Sequence, residues 1–485
     1  MSGPLVLAID IGTSSVRASV YDGRLRATRT AQIKYRWREH TDGRVELDAR
    51  QLETLVARAI DMALHGQRQP IAAVSTAAFW HSLVGVDDDG GAVTAVLPWS
   101  DLRAAEEADA LRRVVSERSV HTRTGCRLHA SYWPARLRWF KEHDWRTFAR
   151  VRRWVSFGEV LERRWLGRNG VSVSQASGTG LLVQDTCAWD ARLLRACDVS
   201  PEHVAPILEL DDTGAELSGQ LKRRWPALAG AIWLPAAGDG AVNNVGAGCV
   251  TRGRAALMIG TSGALRVLWQ PSPRDRIRPR FGLWRYRLDR SRVVLGGALS
   301  NGGNVRDWML RTLAASGDVL TRANAIRADS HGLTMLPFLA GTRSPEYLVR
   351  ASGALTGLSI ATRPEHLLRA TMESVAYRFA RVFEEMQHSL RIRELTAAGG
   401  ALERSPAWTQ ILADVLDRPI QMCGQRELTS RGAAALGFER LGGRRVEDLP
   451  APRGRTVVPD RRRHQVYAAA MRRHGELMRR LYGVT

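Results

Sequence analysis

The apolar positions begin with an unbroken run, Leu5-Val6-Leu7-Ala8-Ile9, which leads through Asp10-Ile11-Gly12-Thr13-Ser14 into Val16-Arg17-Ala18-Ser19-Val20-Tyr21. Two apolar stretches around a Gly/Thr/Ser turn predict a β-hairpin. The same phrase returns as Ile259-Gly260-Thr261-Ser262, between Ala255-Ala256-Leu257-Met258 and Ala264-Leu265-Arg266-Val267-Leu268. After the first copy, residues 28–35 read as a third strand. Residues 47–65 read as a helix, with Leu52, Leu55, Val56, Ile60 and Leu64 at helical spacing. Strands are expected at 71–76 and 82–86, and helices across 104–166. A strand at 230–235 runs into Gly238-Asp239-Gly240. In the second half a strand at 293–298 ends in Ser300-Asn301-Gly302-Gly303. Leu368, Met372, Val375, Phe379, Val382 and Met386 mark a long helix from Pro364 to about His388, with Thr362 and Glu365 as its capping box. A short strand, Leu395-Thr396-Ala397-Ala398, breaks at Gly399-Gly400. The next helix takes Ser405 as N-cap and Pro406 as its first residue, and 466–482 is a basic amphipathic helix.

A turn of this composition aligns backbone N–H groups and short hydroxyls, a combination that suits phosphate. Two copies, one in each half, suggest a duplicated fold that grips a polyphosphate between its halves. At 485 residues the chain is expected to form two domains or three. The breaks fall at 1–248, 249–440 and a terminal segment, 441–485. The net charge of +22 is nearly all arginine, since lysine occurs only at 34, 141 and 222. The arginines are scattered, which reads as a solvated surface and argues against nucleic-acid binding. Scarce lysine excludes a Walker A loop, because none is followed by Ser or Thr after Gly-Lys. Five dispersed cysteines without a C-x-x-C pair argue against a disulfide framework or zinc site. With no signal peptide and no apolar run of membrane-spanning length, the expected setting is the cytoplasm.

Taken in order, the phrases carry a resemblance. They are Asp10-Ile11-Gly12-Thr13-Ser14-Ser15, Trp80-His81, Trp99-Ser100-Asp101-Leu102-Arg103, Gly238-Asp239-Gly240, Gly260-Thr261-Ser262-Gly263 and Gly399-Gly400-Ala401 with Ser405, Trp408 and Gln410. The chain resembles the FGGY carbohydrate kinases over nearly its whole length. Its phrases His81-Ser82-Leu83-Val84, Thr124-Gly125-Cys126 with His129 and Tyr132, and Asn301-Gly302-Gly303 are most similar to those of the gluconate kinases. The chain departs from these kinases at Gly341-Thr342-Arg343, where they usually have Gly-Glu-Arg, at Glu346-Tyr347, and at Trp80, where Met or Gln is frequent.

The resemblance implies an α/β fold of two ribonuclease H-like domains, of the actin, hexokinase and Hsp70 type, with ATP in the cleft between them. It implies phosphoryl transfer from ATP, with Mg²⁺, to a sugar or sugar-acid hydroxyl. Such transfer needs alignment, charge neutralisation and exclusion of water more than covalent help. Asp239 is the expected general base, set between two glycines that leave its carboxylate uncrowded; the other reading is that it caps the following helix. Asp10 is the expected Mg²⁺ contact through water, or else a strand-end aspartate bonding its own turn. Gly12, Thr13, Ser14, Arg17, Gly260 and Thr261 are expected on the phosphates, and Gly303, Asp307, Gly400 and Arg404 on the nucleoside. Trp80, His81, Asp101 and Tyr132 join Asp239 on the substrate side. Gluconate leads as substrate, with xylulose, ribulose or glycerol as rivals within the family. A non-catalytic nucleotide switch on the same fold is the competing class, and a homodimer is compatible with either.

Overall fold

Unbroken apolar runs form central strands because both faces of such strands are covered. In the computed structural model, which describes residues 3–272, 274–275, 278–313 and 318–484, β1 (Val6–Ile11) is buried at every position. It pairs antiparallel with β2 (Ser15–Tyr21), Asp10 opposite Arg17 and Ile11 opposite Val16. Beyond β2 lies antiparallel β3 (Ala27–Lys34). Helix α1 (Ala49–Leu64) is N-capped by Asp48, which accepts from the Gln51 amide, and returns the chain to β4 (Ala73–Ala78), parallel to β1. β5 (Ile232–Trp233) and β6 (Ala237–Gly238) extend the sheet beside β4, both parallel to it. The order is β5-β4-β1-β2-β3. Between β4 and β5 the chain makes a long helical excursion, with Ala105–Val114, Glu117–Thr124 and Trp133–His143 around a core that includes Trp133 and Trp154.

After helix α2 (Asp239–Gly246) the pattern repeats. β7 (Arg254–Ile259) and β8 (Gly263–Trp269) form the second hairpin. β9 (Trp284–Arg287) and β10 (Val293–Leu299) continue antiparallel, β10 beside β8. The chain then passes through α3 (Gly303–Thr312) and α4 (Pro364–Gln387) to β11 (Glu394–Ala398), parallel to β7. It ends with α5 (Gly400–Glu403), α6 (Pro406–Leu416), β12 (Ile420–Met422), α7 (Leu428–Arg440), β13 (Thr456–Val457) and α8 (Arg461–Tyr482). The second sheet runs β9-β10-β8-β7-β11-β12-β13. Each sheet thus places its hairpin between an antiparallel third strand on one side and a parallel strand on the other. The repeated phrase occupies the same place in a repeated sheet.

Helices α2 and α7 share one apolar core with residues of both sheets, among them Val6, Ala8, Ala77, Leu268 and Val294. They meet backbone to backbone. A methyl group on Gly246 would lie 1.8 Å from the Leu428 carbonyl oxygen, and one on Gly432 would lie 1.9 Å from that of Val242. Although α7 lies in sequence between two strands of the second sheet, β12 and β13, it packs on the first, where a methyl on Gly437 would lie 2.6 Å from Val6 Cγ1.

Several boundaries differ from expectation. Pro364 takes the first helical position of α4, so the cap is Arg363, whose amide donates to His366 Nδ1 at 3.2 Å. Thr362 and Glu365 form no capping box; the Thr362 hydroxyl accepts from the Ser359 amide instead. A strand, Arg153–Val155, interrupts the expected helical stretch, and only Val84–Val86 of 82–86 is strand. The last helix starts earlier than expected, at Arg461, capped by Asp460. Ser405 caps α6 as expected, accepting from the Trp408 amide. All five cysteines are free. Among the described residues no helix is long and apolar enough to cross a membrane.

Candidate active site

The first turn has its carbonyls held from behind. Those of Gly12, Thr13 and Ser14 accept from the Tyr35 hydroxyl (2.5 Å), Trp37 Nε1 (2.6 Å) and the Tyr35 amide (3.2 Å). The groups left for a ligand are the N–H groups and hydroxyls of Thr13 and Ser14, the donors a phosphate needs. Beside the turn, Arg17 Nη1 donates to Asp10 Oδ2 at 3.2 Å and Arg17 Nε pairs with Glu427 Oε2 at 2.5 Å. Burial pushes the Asp10 carboxyl up to about 7; Arg17 opposes the shift, while Asp239 and Glu427 add to it. Asp10 and Glu427 share the Arg17 guanidinium, and the charge of Asp239 acts on Asp10, which makes the neighbourhood rich in carboxylate oxygens. That chemistry fits a hard divalent cation such as Mg²⁺, which takes one or two carboxylates and keeps several waters. Sequence reading missed Glu427, which lies in the left-handed region (φ 52°) at the head of α7 and follows no motif.

The second turn is capped by a helix instead of side chains. The Gly260 carbonyl accepts from the Gly303 amide at 2.9 Å, and that of Thr261 from the Asn304 amide at 3.0 Å. Gly303, the first residue of α3, has no room for a side chain, since a methyl there would sit 2.4 Å from the Gly260 oxygen and 3.4 Å from Ala401 Cβ. Gly399 (φ 111°) presses on the Ile259 carbonyl, and the Arg404 guanidinium lies over Gly400. The structure therefore brings Gly260, Thr261, Gly303, Gly400 and Arg404 into one neighbourhood. Asp307 sits on the same helix as Gly303 and pairs with Arg306 at 3.0 Å, while Arg306 also reaches the Ala401 carbonyl.

Asp239 heads α2. Its Oδ1 accepts from the amides of Gly240 (2.8 Å) and Trp80 (3.3 Å). Burial raises its carboxyl above the ordinary range, opposed first by the charge of Arg266, with Arg343 also lowering it. Arg266 is held by the side-chain oxygens of Asn244 and Asn243, each at 3.0 Å. The flanking glycines have a different cause from the one the sequence suggested. A methyl on Gly238 would lie 1.9 Å from Trp80 Nε1 and one on Gly240 2.5 Å from Trp80 Cζ3; both glycines make room for the indole. Trp80 is accordingly a packing residue on this side of the site. It is 5% exposed, bonds the Ser174 carbonyl through Nε1, and meets Asp239 only through its backbone.

His81 holds a left-handed backbone (φ 70°), a conformation that costs a non-glycine residue about 1–2 kcal/mol. Its carbonyl is fixed by Arg136 Nη1 at 2.7 Å, and its Nδ1 meets the Gly178 carbonyl at 2.5 Å. A carbonyl only accepts, so Nδ1 carries the proton and Nε2 keeps its lone pair. Burial pushes the His81 imidazole down to about 3, leaving a neutral acceptor. The ring stands edge-on to Tyr132 and Tyr286, whose hydroxyls are 2.7 Å apart.

Asp101 does not join this group as a free ligand. It is fully buried and accepts from the Val45 amide (2.7 Å) and from Arg103 Nε and Nη2 (both 2.9 Å). Its carboxylate holds a loop, and its link to His81 runs through Arg136, which reaches carbonyls of both residues. The structure adds Tyr286, Arg266 and Arg343 to the cluster. Arg266, just past the second turn, was visible in the repeated phrase; Arg343 stood out only as the end of the departing phrase Gly341-Thr342-Arg343, and Tyr286 lay in a stretch with no signal.

Comparison with known proteins agrees with this fold. Residues 5–246 match the profile described as "FGGY family of carbohydrate kinases, N-terminal domain", and residues 255–439 match its C-terminal counterpart. A gluconokinase of Bacillus licheniformis is 25% identical over 90% of this chain and 88% of its own length. A xylulose kinase of Klebsiella pneumoniae is 26% identical over 96% of each chain. The crystal structure of gluconate kinase from Lactobacillus acidophilus shares the fold, with a TM-score of 0.90 at 22% identity, covering 99% of this chain and 98% of that one. With both profiles in order along one doubled fold, the chain belongs to the FGGY family of carbohydrate kinases.

Proposed function

We propose that this kinase transfers the γ-phosphoryl group of ATP to a hydroxyl of gluconate, with Asp239 as general base. The observation that carries the reading is the position of Asp239. Its carboxylate lies within electrostatic reach of Asp10 at the first turn and of Arg266 beyond the second, so the acceptor hydroxyl and the phosphates converge there. A raised carboxyl is also the better proton acceptor from a reacting alcohol. Gluconate is favoured over xylulose and glycerol because two Bacillus gluconokinases, 25% and 24% identical, are among its relatives and because the His81 to Val84 phrase resembles theirs.

The parts divide as follows. Residues 1–248 hold the acceptor and the first turn, residues 249–440 hold the second turn and the nucleoside, and 441–485 pack on the second unit. Gly12, Thr13, Ser14, Gly260 and Thr261 bind phosphate oxygens from two sides, and Arg17 adds charge. Gly303, Gly400 and Arg404, with Asp307, form the nucleoside side. His81 accepts from a substrate hydroxyl through Nε2, and Tyr132 with Tyr286 lines the same space. Asp10, with Asp239 and Glu427 close by, would hold Mg²⁺ through water; when bound, the ion neutralises charge on the phosphate oxygens. Closure of the two units on each other excludes water from the transfer.

The test is ADP release measured across gluconate, xylulose, ribulose and glycerol. The expected result is the highest kcat/KM with gluconate. A higher value with a neutral sugar or polyol would overturn the substrate reading and leave the reaction class in place.

A further inference from the structure

We propose that Arg343 and His129 form a receptor for a carboxylate on the acceptor, which makes the substrate class an aldonic acid in preference to a neutral ketose or polyol. This rests on the reading of the site just given and deepens it.

Arg343 is 9% exposed and forms no ion pair among the described residues. Its Nη2 reaches the Leu299 carbonyl at 3.3 Å, its guanidinium lies over the Trp99 ring at 4.2 Å, and its Nε is buried without an acceptor among the described residues. Other buried arginines of this chain are provided for. Arg136 donates to carbonyls of Ala130, His81 and Pro98, Arg266 to two asparagines, Arg369 to Glu373 and Arg378 to Glu346. A buried guanidinium without a paired anion is an unfavourable arrangement that a bound anion relieves. Its planar fork matches a carboxylate two bonds at a time.

His129 supplies a second orphan. It is 2% exposed, and its Nδ1 accepts from the Ser131 amide at 3.1 Å. The ring proton therefore sits on Nε2, which is buried with no acceptor among the described residues. The ring stands edge-on to Tyr347 with centroids 5.6 Å apart. Arg343 is the first charge that His129 feels, and Arg343 in turn lies among Tyr286, Tyr132, Tyr347 and Asp239. Two buried donors without acceptors among the described residues thus lie near enough for the Arg343 charge to act on His129, and Arg343 near enough to act on the proposed base. Arg343 stands between Thr342 and Ser344, so its chain neighbours bring no anion. A polyhydroxy acid satisfies both ends, its carboxylate on Arg343 and His129 and its hydroxyls toward His81 and Asp239.

The experiment compares D-gluconate with D-gluconamide, which keeps every hydroxyl and loses the charge, in the wild type and in Arg343→Met and Arg343→Lys. In the wild type kcat/KM should favour gluconate by about 10²-fold, the cost of truncating one side of a buried charge pair. In Arg343→Met that preference should fall to within about threefold of unity, with the KM for ATP unchanged, and Arg343→Lys should recover part of it. The preference is a ratio, so partial loss of folded protein does not alter it. An unchanged preference in Arg343→Met, or an equal loss on both compounds, overturns the receptor while leaving gluconate as the substrate. A wild type that turns over xylulose or glycerol but no aldonate overturns the receptor and the gluconate reading together.

Discussion

The two Ile-Gly-Thr-Ser turns share a sequence and a position in their sheets, and they differ in nearly everything around them. In the first, Ile11 pairs with Val16; in the second, Ile259 pairs with Gly263, closing a turn one residue shorter. The residue before the phrase is Asp10 in one and Met258 in the other. Side chains of Tyr35 and Trp37 hold the first turn, whereas the amides of Gly303 and Asn304 hold the second. The arginine beyond the first turn pairs with two carboxylates, and the one beyond the second is held by two asparagines and faces Asp239. The tetrapeptide supplies the same backbone donors twice, and its neighbours decide the chemistry. On the proposed reading the first turn shares its phosphate with a cation, and the second is docked on the helix assigned to the nucleoside side.

That contrast is open to direct attack. Asp10→Asn should lower kcat by about 10²–10³, the scale seen when one preorganised electrostatic contact is removed. Met258→Leu, the matching position in the second copy, should leave kcat within about threefold, as volume-conserving swaps do. Equal effects in steady-state assays would mean the two turns are equivalent after all.

A smaller effect separates the supports. Gly303→Ala would place a methyl 2.4 Å from the Gly260 oxygen, whereas a methyl on Gly12 meets its nearest atom at 3.4 Å. Displacing the second turn should cost up to about 10²-fold in kcat/KM for ATP, and Gly12→Ala no more than about threefold. Comparable ATP kinetics in the two variants would contradict the helix docking.

The smallest effect is on stability. The Asp10 carboxyl, raised from 3.8 to about 7, holds its proton when folded where the unfolded chain has released it. Its contribution to stability therefore falls as pH rises from about 4 to about 7. In metal-free protein Asp10→Asn should remove that downward component from the Tm-against-pH curve, and an unaltered curve would show that the carboxyl ionises normally.

Both hairpins, the long helix at Pro364 and the cap at Ser405 were legible because each is set by residues adjacent in the chain. The doubling of the sheet followed from the doubled phrase. Long-range contacts were not legible. Glu427 comes beside Asp10 only because α7 crosses to the first sheet on Gly432 and Gly437. Asp101 read as a free carboxylate because nothing nearby in sequence shows Val45 and Arg103 both bonding it. Gly238 and Gly240 were explained by the aspartate between them, while their cause is an indole brought from the end of β4. Pro364 moved the cap of its helix by its own fixed geometry, which the Thr362 pattern did not reveal.

The central claim is that Asp239 takes the proton from the acceptor hydroxyl between the two turns. The most direct measurement is steady-state turnover of Asp239→Asn with gluconate and ATP, together with the KM for ATP. The account predicts a kcat lower by about 10²–10⁴ with ATP binding retained. Turnover within about threefold of wild type would contradict it.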